Sequence, residues 1–130
     1  MSPLSLNQIG QIHINVQDVD RATAFYKDVL GMNHLFQVPG MSFFDCGGIM
    51  LMLGIPTSAE FNHPSSIIYY QVEDIAAVHK TLVERGVNFT EAPNFVANMG
   101  EQDLWMGFFQ DTEGNTLAIR SLVPKGVKPL

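Results

Sequence analysis

Two polar side chains near the start of the chain are the first candidates for chemistry. Gln11 and His13 share one face of an alternating stretch whose other face, residues 12, 14 and 16, is apolar. An amide oxygen and an imidazole nitrogen can both ligate a divalent ion, and an imidazole can also transfer protons near neutral pH. A histidine in such a setting is more often a hydrogen-bonded pocket residue. The pair therefore leaves ligand contact, metal ligation and proton transfer open.

The other titratable side chains give weaker signals. His34 and His63 have no second histidine or cysteine at metal-binding spacing, and His79 is expected to be solvated on a helix. Cys46 is the single cysteine, which excludes an internal disulfide, and we expect a structural thiol rather than a nucleophile. Three acids could reach the mouth of a site but are more often solvent-facing charges: Glu91, Glu101 and Asp103.

Composition restricts the class of protein. A chain of 130 residues with 46% hydrophobic residues is long enough for one domain with a real core. The net charge of −6 argues against nucleic-acid binding, which needs clustered Lys and Arg. No apolar run approaches the roughly 20 residues of a membrane helix, and the start does not read as a secretory signal. We therefore expect a cytoplasmic protein that binds neither nucleic acid nor membrane.

The elements that would position these residues occur twice. Residues 16–19 and 72–75 are similar and lie at an offset of 56 residues. Each is preceded by a β-like run and followed by a helical pattern that stops at a glycine, Gly31 or Gly86, with Asp18 or Asp74 as the predicted N-cap. Each copy then closes with two strands around a glycine turn. Such a repeat indicates a duplicated βαβββ module.

The predicted organisation is one α+β domain over residues 1–130. Module one covers about residues 9–53, a turn-rich linker residues 54–66, module two residues 67–121 and a tail residues 122–130. The linker is long for a connection, and a partial lid is one role for it. With the helices outside, we expect the sheets to curl into a cup of mixed strands.

The openings of the modules resemble a known superfamily. The first module has Gln11, Val16 and Asp18, followed by residues 25–26 and 30–31, and this pattern is similar to the opening of the vicinal oxygen chelate superfamily. Residues 109–115 are similar to the final hairpin of that superfamily. That superfamily includes glyoxalase I, the bleomycin-resistance proteins and the extradiol dioxygenases. The resemblance covers roughly residues 9–121 and implies the fold, but the fold hosts both metal enzymes and metal-free binders.

The resemblance also implies where a metal would be held. The superfamily's metal enzymes place ligands at positions that correspond to Gln11, Met52, Ile67 and Ala118. Only Gln11 offers an oxygen donor, Met52 offers a thioether, and Ile67 and Ala118 offer nothing. The usual metal site is therefore expected to be lost, and no cofactor is predicted.

Strand parity predicts most of the residues around the ligand, and Trp105 and Phe108 are expected to flank it on a strand whose inward parity is open. The resulting surface, rich in Met and aromatic side chains, suits an aromatic or apolar small molecule, although each side chain could equally be ordinary core. The predicted ligand-binding residues are Gln11, His13, Met50, Met52, Ile67, Tyr69, Trp105, Phe108, Ala118 and Arg120.

Two classes of function remain open. The first is a small-molecule binder of the glyoxalase/bleomycin-resistance type without a standard metal site. The second is an enzyme. It would be a metal-dependent lactoylglutathione lyase-like protein, isomerase or ring-cleaving dioxygenase with an atypical site at Gln11 and His13, or a metal-free enzyme with His13 as acid or base. Members of the superfamily usually dimerise and sheet edges favour association, so a homodimer is expected.

Overall fold

The computed structural model describes residues 4–130 and divides into two compact units, the first ending at Ser65 and the second beginning at Ser66. Each unit is one βαβββ module with its own four-stranded sheet, which confirms the predicted α+β class. The strands of the first unit are β1 (Gln11–Asn15), β2 (Asn33–Val38), β3 (Met41–Cys46) and β4 (Ile49–Gly54). Those of the second unit are β5 (Ile68–Gln71), β6 (Phe89–Asn98), β7 (Gln102–Gln110) and β8 (Thr116–Pro124).

The two sheets have the same strand order. In the first unit β1 runs parallel to β4, and β3 and β2 follow antiparallel, while β5, β8, β7 and β6 repeat that order in the second unit. A parallel pair needs a crossover connection, which the single helix of each module provides. Neither helix within residues 4–130 has the length and apolar content to cross a membrane.

The helix of the first unit is shorter than its hydrophobic pattern predicts. The helix α1 (Val19–Ala24) begins at Asp18, whose carboxylate accepts a hydrogen bond from the Arg21 amide at 3.0 Å. Residues 25–29 then form a π-helical turn, in which the Leu30 amide donates to the Phe25 carbonyl at 3.0 Å. A π turn accommodates one extra residue per turn, and Tyr26 within it is fully buried.

The helix of the second unit agrees with the sequence pattern. The helix α2 (Ile75–Glu84) begins at Asp74, which accepts from the Ala77 amide at 3.0 Å. It ends before Gly86, whose φ of 90° is a left-handed conformation that glycine adopts without a Cβ penalty. Ile75 and Leu82 are the buried positions of its apolar stripe.

Two features of the second unit differ from what the sequence suggests. A proline lacks the N–H of a strand ladder and favours an irregular segment, but β6 continues through Pro93, with three shifts of register. Pro93 is tolerated because β6 is an edge strand, where a missing N–H need not break the ladder. The tail was expected from residue 122, but β8 extends to Pro124 because Val123 pairs with Asp103 and is buried.

Candidate functional site

Each sheet has one face that is covered by its helix and one face that is not, which we term the helix-free face. In the first unit Tyr26 contacts Phe44 at a ring-centroid distance of 6.1 Å, so Phe44 and its cross-strand neighbour Leu51 define the covered face. The helix-free face therefore carries the alternate residues of every strand. The structure places four of the predicted ligand-binding residues on this face: Gln11, His13, Met50 and Met52.

A continuous row of side chains crosses the helix-free face of the first unit. His13 pairs with Met52, Met52 with Phe43 and Phe43 with Phe36, one residue from each strand. The rings of Phe36 and Phe43 stack at 4.7 Å with an interplanar angle of 25°. The row therefore runs from an imidazole through a thioether to a pair of aromatic rings.

His13 is fixed at one end of this row by a glycine. Its Nε2 lies 3.3 Å from the Gly54 carbonyl oxygen. A carbonyl oxygen only accepts, so Nε2 is the donor and the neutral ring keeps a lone pair on Nδ1. A Cβ at Gly54 would lie 3.0 Å from His13 Nε2 and 3.4 Å from Met52 Cε. The imidazole and the methionine methyl group thus occupy the space that a side chain at position 54 would need.

A cavity of about 590 Å³ opens beside His13 and Met52. Its walls come from β1, β3, β4, the Pro39–Gly40 turn and the segment after β4, and they are mainly apolar. The lining residues are His13, Pro39, Gly40, Met41, Met52, Gly54, Ile55, Pro56, Thr57 and Phe61. Of these the sequence pattern predicted only His13 and Met52, because the turn and the segment after β4 have no periodicity that marks a face.

The segment after β4, residues 55–65, forms a strap held to β1 by Asn15. Asn15 Nδ2 donates to the carbonyl oxygens of Phe61 and His63, both at 2.7 Å, and the Asn15 amide donates to Ser65 Oγ at 3.1 Å. A 3₁₀ turn, Ala59–Phe61, lies within the strap. No residue of the strap is buried, so hydrogen bonds rather than core contacts give the strap its position: the Ile55 amide donates to the Gly40 carbonyl at 3.1 Å at its start, and the Asn15 clamp holds the rest. Phe61 then lines the cavity although its side chain is 47% exposed.

The helix-free face of the second unit has a different chemistry. His79 of α2 contacts Phe89 and Phe89 contacts Phe109, which identifies the covered face. The opposite face carries four predicted residues, Tyr69, Ala118, Phe108 and Arg120. The rings of Tyr69 and Phe108 meet edge to face at 5.9 Å, with Ala118 between them in the register.

Two predicted residues do not join this group in the same way. Ile67 precedes β5 and is 42% exposed. Trp105 pairs with Ser121 on the covered face, because it is three positions from Phe108 and strand side chains alternate. Its indole Nε1 is buried and has no hydrogen-bond partner within residues 4–130.

The positions implied for a metal do not fit an oxygen- or nitrogen-ligated divalent ion. The Gln11 amide donates to Met52 Sδ at 3.7 Å, so the single oxygen-bearing side chain of the set faces a thioether. Ile67 and Ala118 carry no donor atom. Nowhere in residues 4–130 do three or more His, Cys, Asp or Glu side chains lie together as a metal site would require.

The remaining histidines have structural partners. His34 Nε2 lies 3.0 Å from Ser42 Oγ and its ring is 4.9 Å from Phe44, on the covered face. His79, expected in solvent, is half-buried because its ring packs edge to face on Phe89 at 4.6 Å. His63 is exposed in the strap, where Nδ1 lies 3.1 Å from the Pro64 carbonyl oxygen.

The acids and the thiol also have local explanations. Hydrogen bonds from the Gly126 amide and the Asn98 side chain hold the pKa of Asp103 below its ordinary value, and Asp103 lies on the covered face. Burial, and then the charge of Asp45, raises the pKa of Cys46 and keeps the thiol protonated.

Two further acids stay at the surface. Glu91 accepts a hydrogen bond from Asn94 at 2.9 Å, and Glu101 is exposed before β7.

A second depression of about 610 Å³ lies near the start of α1 and is lined by residues 17–20, 37–40 and 55. Its carboxylates are already engaged, since Asp18 caps α1 and Asp20 accepts from Gln37 Nε2 at 2.6 Å. The cavity at His13 is therefore the better candidate for ligand binding. Two βαβββ units of equal strand order, one with an apolar cavity on its helix-free face, define the vicinal oxygen chelate class of fold.

The chain belongs to the Glyoxalase/Bleomycin resistance protein/Dioxygenase superfamily, whose sequence profile matches residues 8–119. It is 32% identical over 127 residues to a glyoxylase-like domain-containing protein of Didymella fabae, covering 86% of this chain and 91% of that protein. It is 33% identical over 99 residues to catechol-2,3-dioxygenase of Bacillus subtilis, covering 66% of this chain and 35% of the dioxygenase. The chain thus spans about a third of that enzyme.

Solved structures show the same fold at low sequence identity. Lactoylglutathione lyase from Agrobacterium tumefaciens matches with a TM-score of 0.71 at 18% identity, over 90% of this chain and 95% of that chain. A glyoxalase/bleomycin resistance protein/dioxygenase from Alicyclobacillus acidocaldarius matches with a TM-score of 0.70 at 19% identity, over 89% and 92%. These similarities establish the fold and leave the ligand to the residues of the site.

Proposed function

We propose that the protein binds a small aromatic or other apolar molecule in the cavity of the first unit, without the metal centre of the family's metal enzymes. The observation that carries the proposal is the cavity itself, of about 590 Å³ and lined by Met41, Met52, Phe61 and turn residues. Ligand pockets typically measure about 300–1,000 Å³ and are mainly apolar with a few polar groups. Methionine side chains adapt to a ring and contact it through sulfur.

His13 supplies the polar group that would orient the ligand. Because its Nε2 donates to the Gly54 carbonyl, Nδ1 of the neutral ring is an acceptor. A phenolic or other hydroxyl group can donate to it. The preferred ligand is therefore a neutral aromatic molecule with a hydroxyl group, held between the row of His13 and Met52 and the Phe61 side chain.

The metal-dependent alternative has less support from the residues. It is considered because two similar proteins are named as a dioxygenase and a lyase. It would have to recruit Gln11 Oε1 and His13 Nδ1 with a third ligand, and within residues 4–130 no three His, Cys, Asp or Glu side chains lie together to hold an ion. Elemental analysis of protein purified without chelators tests it, and less than about 0.1 metal ion per chain would exclude a stoichiometric site.

Calorimetric titration with 2-naphthol tests the proposed binding. Met52 and Met50 provide a matched pair of variants, because both lie on the helix-free face of β4 and only Met52 lines the cavity. Met52→Ala should weaken 2-naphthol binding by about fivefold to tenfold, since the loss of a methionine contact is worth roughly 1 kcal/mol or more. Met50→Ala should leave the affinity within about twofold of the wild type.

Two results would contradict the proposal. One is the absence of binding for all members of a panel of neutral hydroxylated aromatics with one to three rings. The other is an equal loss of affinity in Met52→Ala and Met50→Ala, which would show that the cavity is not the site. Circular dichroism of both variants confirms that each retains the fold.

A further inference from the structure

We propose that the helix-free face of the second unit binds a small organic anion through Arg120, with a carboxylate attached to an apolar or aromatic body as the preferred chemistry. The proposal concerns the second unit alone. It does not depend on whether the cavity of the first unit binds a neutral ligand.

Arg120 is the one basic side chain that the fold withdraws from solvent. Of the seven Lys and Arg residues in the chain, six are exposed, and Arg120 is half-buried in the middle of β8. Its Nε is buried and has no hydrogen-bond partner within residues 4–130. A buried N–H without an acceptor costs free energy, so the Nε–H of Arg120 calls for an acceptor, and a carboxylate oxygen also complements the charge of the guanidinium.

The sheet itself does not place that anion next to Arg120. Across the ladder Arg120 lies opposite Gln71 on one side and Met106 on the other. Its neighbours along the same face of β8 are Ala118 and Leu122. None of these four side chains is acidic.

One acid of this face lies elsewhere in the register. Glu91 on β6 pairs with Phe108 on β7, which pairs with Ala118 on β8. Glu91 therefore lies one cross-strand row from Arg120 and two strands away from β8. Its carboxylate accepts the hydrogen bond from Asn94 at 2.9 Å. In the register, Gln71 is therefore the polar neighbour of Arg120 on β5, Asn94 lies beyond Met106 on β6, and Met106, Ala118 and Leu122 are the apolar neighbours.

These surroundings define the class of ligand. A guanidinium presents a planar fork that pairs with both oxygens of a carboxylate. The Gln71 side-chain amide beside it donates to the Val72 carbonyl at 3.3 Å and has a second N–H for a ligand. Met106 and the edge-to-face pair of Tyr69 and Phe108 form an apolar surface next to the charge, and Tyr69 is 44% exposed and open to a ligand. An aryl carboxylate satisfies the charge and the surface together.

The duplicated module shows that the fold does not require this arginine. The position equivalent to Arg120 in the first unit is Gly54, because Gly54 pairs with Asn15 just as Arg120 pairs with Gln71. A side chain at position 54 would meet the His13 ring at 3.0 Å. Equivalent positions of the two sheets therefore carry no charge in the first unit and a partly buried charge in the second. This difference favours a role for Arg120 in ligand binding over a role in holding the sheet together.

Matched acid and amide probes test the charge of the ligand. The full-length protein is titrated with 2-naphthoate and 2-naphthamide, and with benzoate and benzamide, at low ionic strength. The wild type should bind a carboxylate at least tenfold more tightly than its amide. Arg120→Gln should lose that preference, whereas Lys80→Gln, which removes an exposed cation on α2, should keep it.

The arginine Nε–H signals in an NMR ¹H–¹⁵N spectrum provide a readout that does not need a folded variant. The chain has three arginines, at positions 21, 85 and 120. The Nε–H signal of Arg120 in the wild type should move on addition of 2-naphthoate and stay in place with 2-naphthamide.

Equal affinity for acid and amide, an acid preference that survives Arg120→Gln, or an unmoved Arg120 signal would each overturn the proposal. Such a result, combined with normal binding of 2-naphthol that is sensitive to Met52→Ala, would leave the proposed function intact. Carboxylate binding at Arg120, with no binding of any neutral hydroxylated aromatic of the panel, would overturn the proposed function instead.

Discussion

The clamp between Asn15 and the strap can be tested by removing a single amide. Asn15→Ala deletes the side chain whose Nδ2 donates at 2.7 Å to the carbonyl oxygens of Phe61 and His63. The strap has no buried residue to replace these bonds. We therefore expect the middle of the strap to open locally, while the bond from the main-chain amide of residue 15 to Ser65 Oγ and the sheet of the first unit remain.

The size of the effect follows from the number and exposure of the bonds. One hydrogen bond contributes about 0.5–1.5 kcal/mol net, and two would contribute about 1–3 kcal/mol. Both bonds are solvent-exposed, so water compensates part of the loss and the lower half of that range applies. At 1.4 kcal/mol for a factor of ten, the opening equilibrium of the strap should increase by about fivefold to thirtyfold.

Amide hydrogen exchange measures this opening directly. The Phe61 and Asn62 amides donate within the strap to Ser58 and Ala59 at 3.1 and 3.2 Å, so their exchange rates report its closed form. Both rates should rise by the factor above, while amides of β4 keep their protection. Asn33→Ala is the matched control, since Asn33 is an exposed asparagine of the same unit on β2.

Two patterns would refute the reasoning. Unchanged exchange at Phe61 and Asn62 would show that the clamp does not hold the strap. An equal acceleration in the strap and in β4 would show that Asn15 supports the whole unit. If the clamp positions Phe61 at the cavity, Asn15→Ala should also weaken 2-naphthol binding without changing the melting temperature by more than a few degrees.

Three other perturbations have defined outcomes. Gly54→Ala should displace the His13 ring, which lies 3.0 Å from the new Cβ, and lower the free energy of unfolding in denaturant by about 1–3 kcal/mol. Gly10→Ala is the control and should leave it unchanged, because a Cβ at position 10 meets nothing within 4 Å. The pKa of Asp103 is lowered in the folded state, so the ionised carboxylate stabilises the fold above the ordinary value of 3.8, and this contribution disappears as pH falls through the lower folded pKa. The melting temperature of Asp103→Asn should therefore lie below that of the wild type at neutral pH and approach it in acid. The pKa of Cys46 is raised above 9.0 by burial, so iodoacetamide should alkylate it more slowly than free cysteine near neutral pH, as mass spectrometry would show, and rapid labelling would contradict a protonated thiol.

Local features of the fold were predictable from sequence because they depend on neighbouring residues. Asp18 and Asp74 cap helices through amides three residues away, and strand alternation places Gln11 and His13 on one face. Gly86 ends its helix through its own backbone conformation. Each of these signals lies within a few positions of the residue it concerns.

Features that depend on distant contacts were not predictable. Asn15 meets the carbonyls of Phe61 and His63 across 46 and 48 positions, and no local pattern marks that pairing. The cavity residues of the strap were missed for the same reason, although the length of the linker indicated a lid. The separation of Trp105 from Phe108 was foreseeable, since residues three apart in one strand cannot share a face.

The register that the parallel pairs β1–β4 and β5–β8 share has a consequence for how the protein can change. The paired positions of these strands exist in two copies, and natural selection can keep one copy for packing while the other varies. Gly54 and Arg120 illustrate this, since Gly54 leaves space for the His13 ring in the first unit and Arg120 places a cation on the helix-free face of the second. A single substitution at such a position can therefore change the chemistry of one helix-free face while the strand pairing of both units is kept, and no new loop is needed for it.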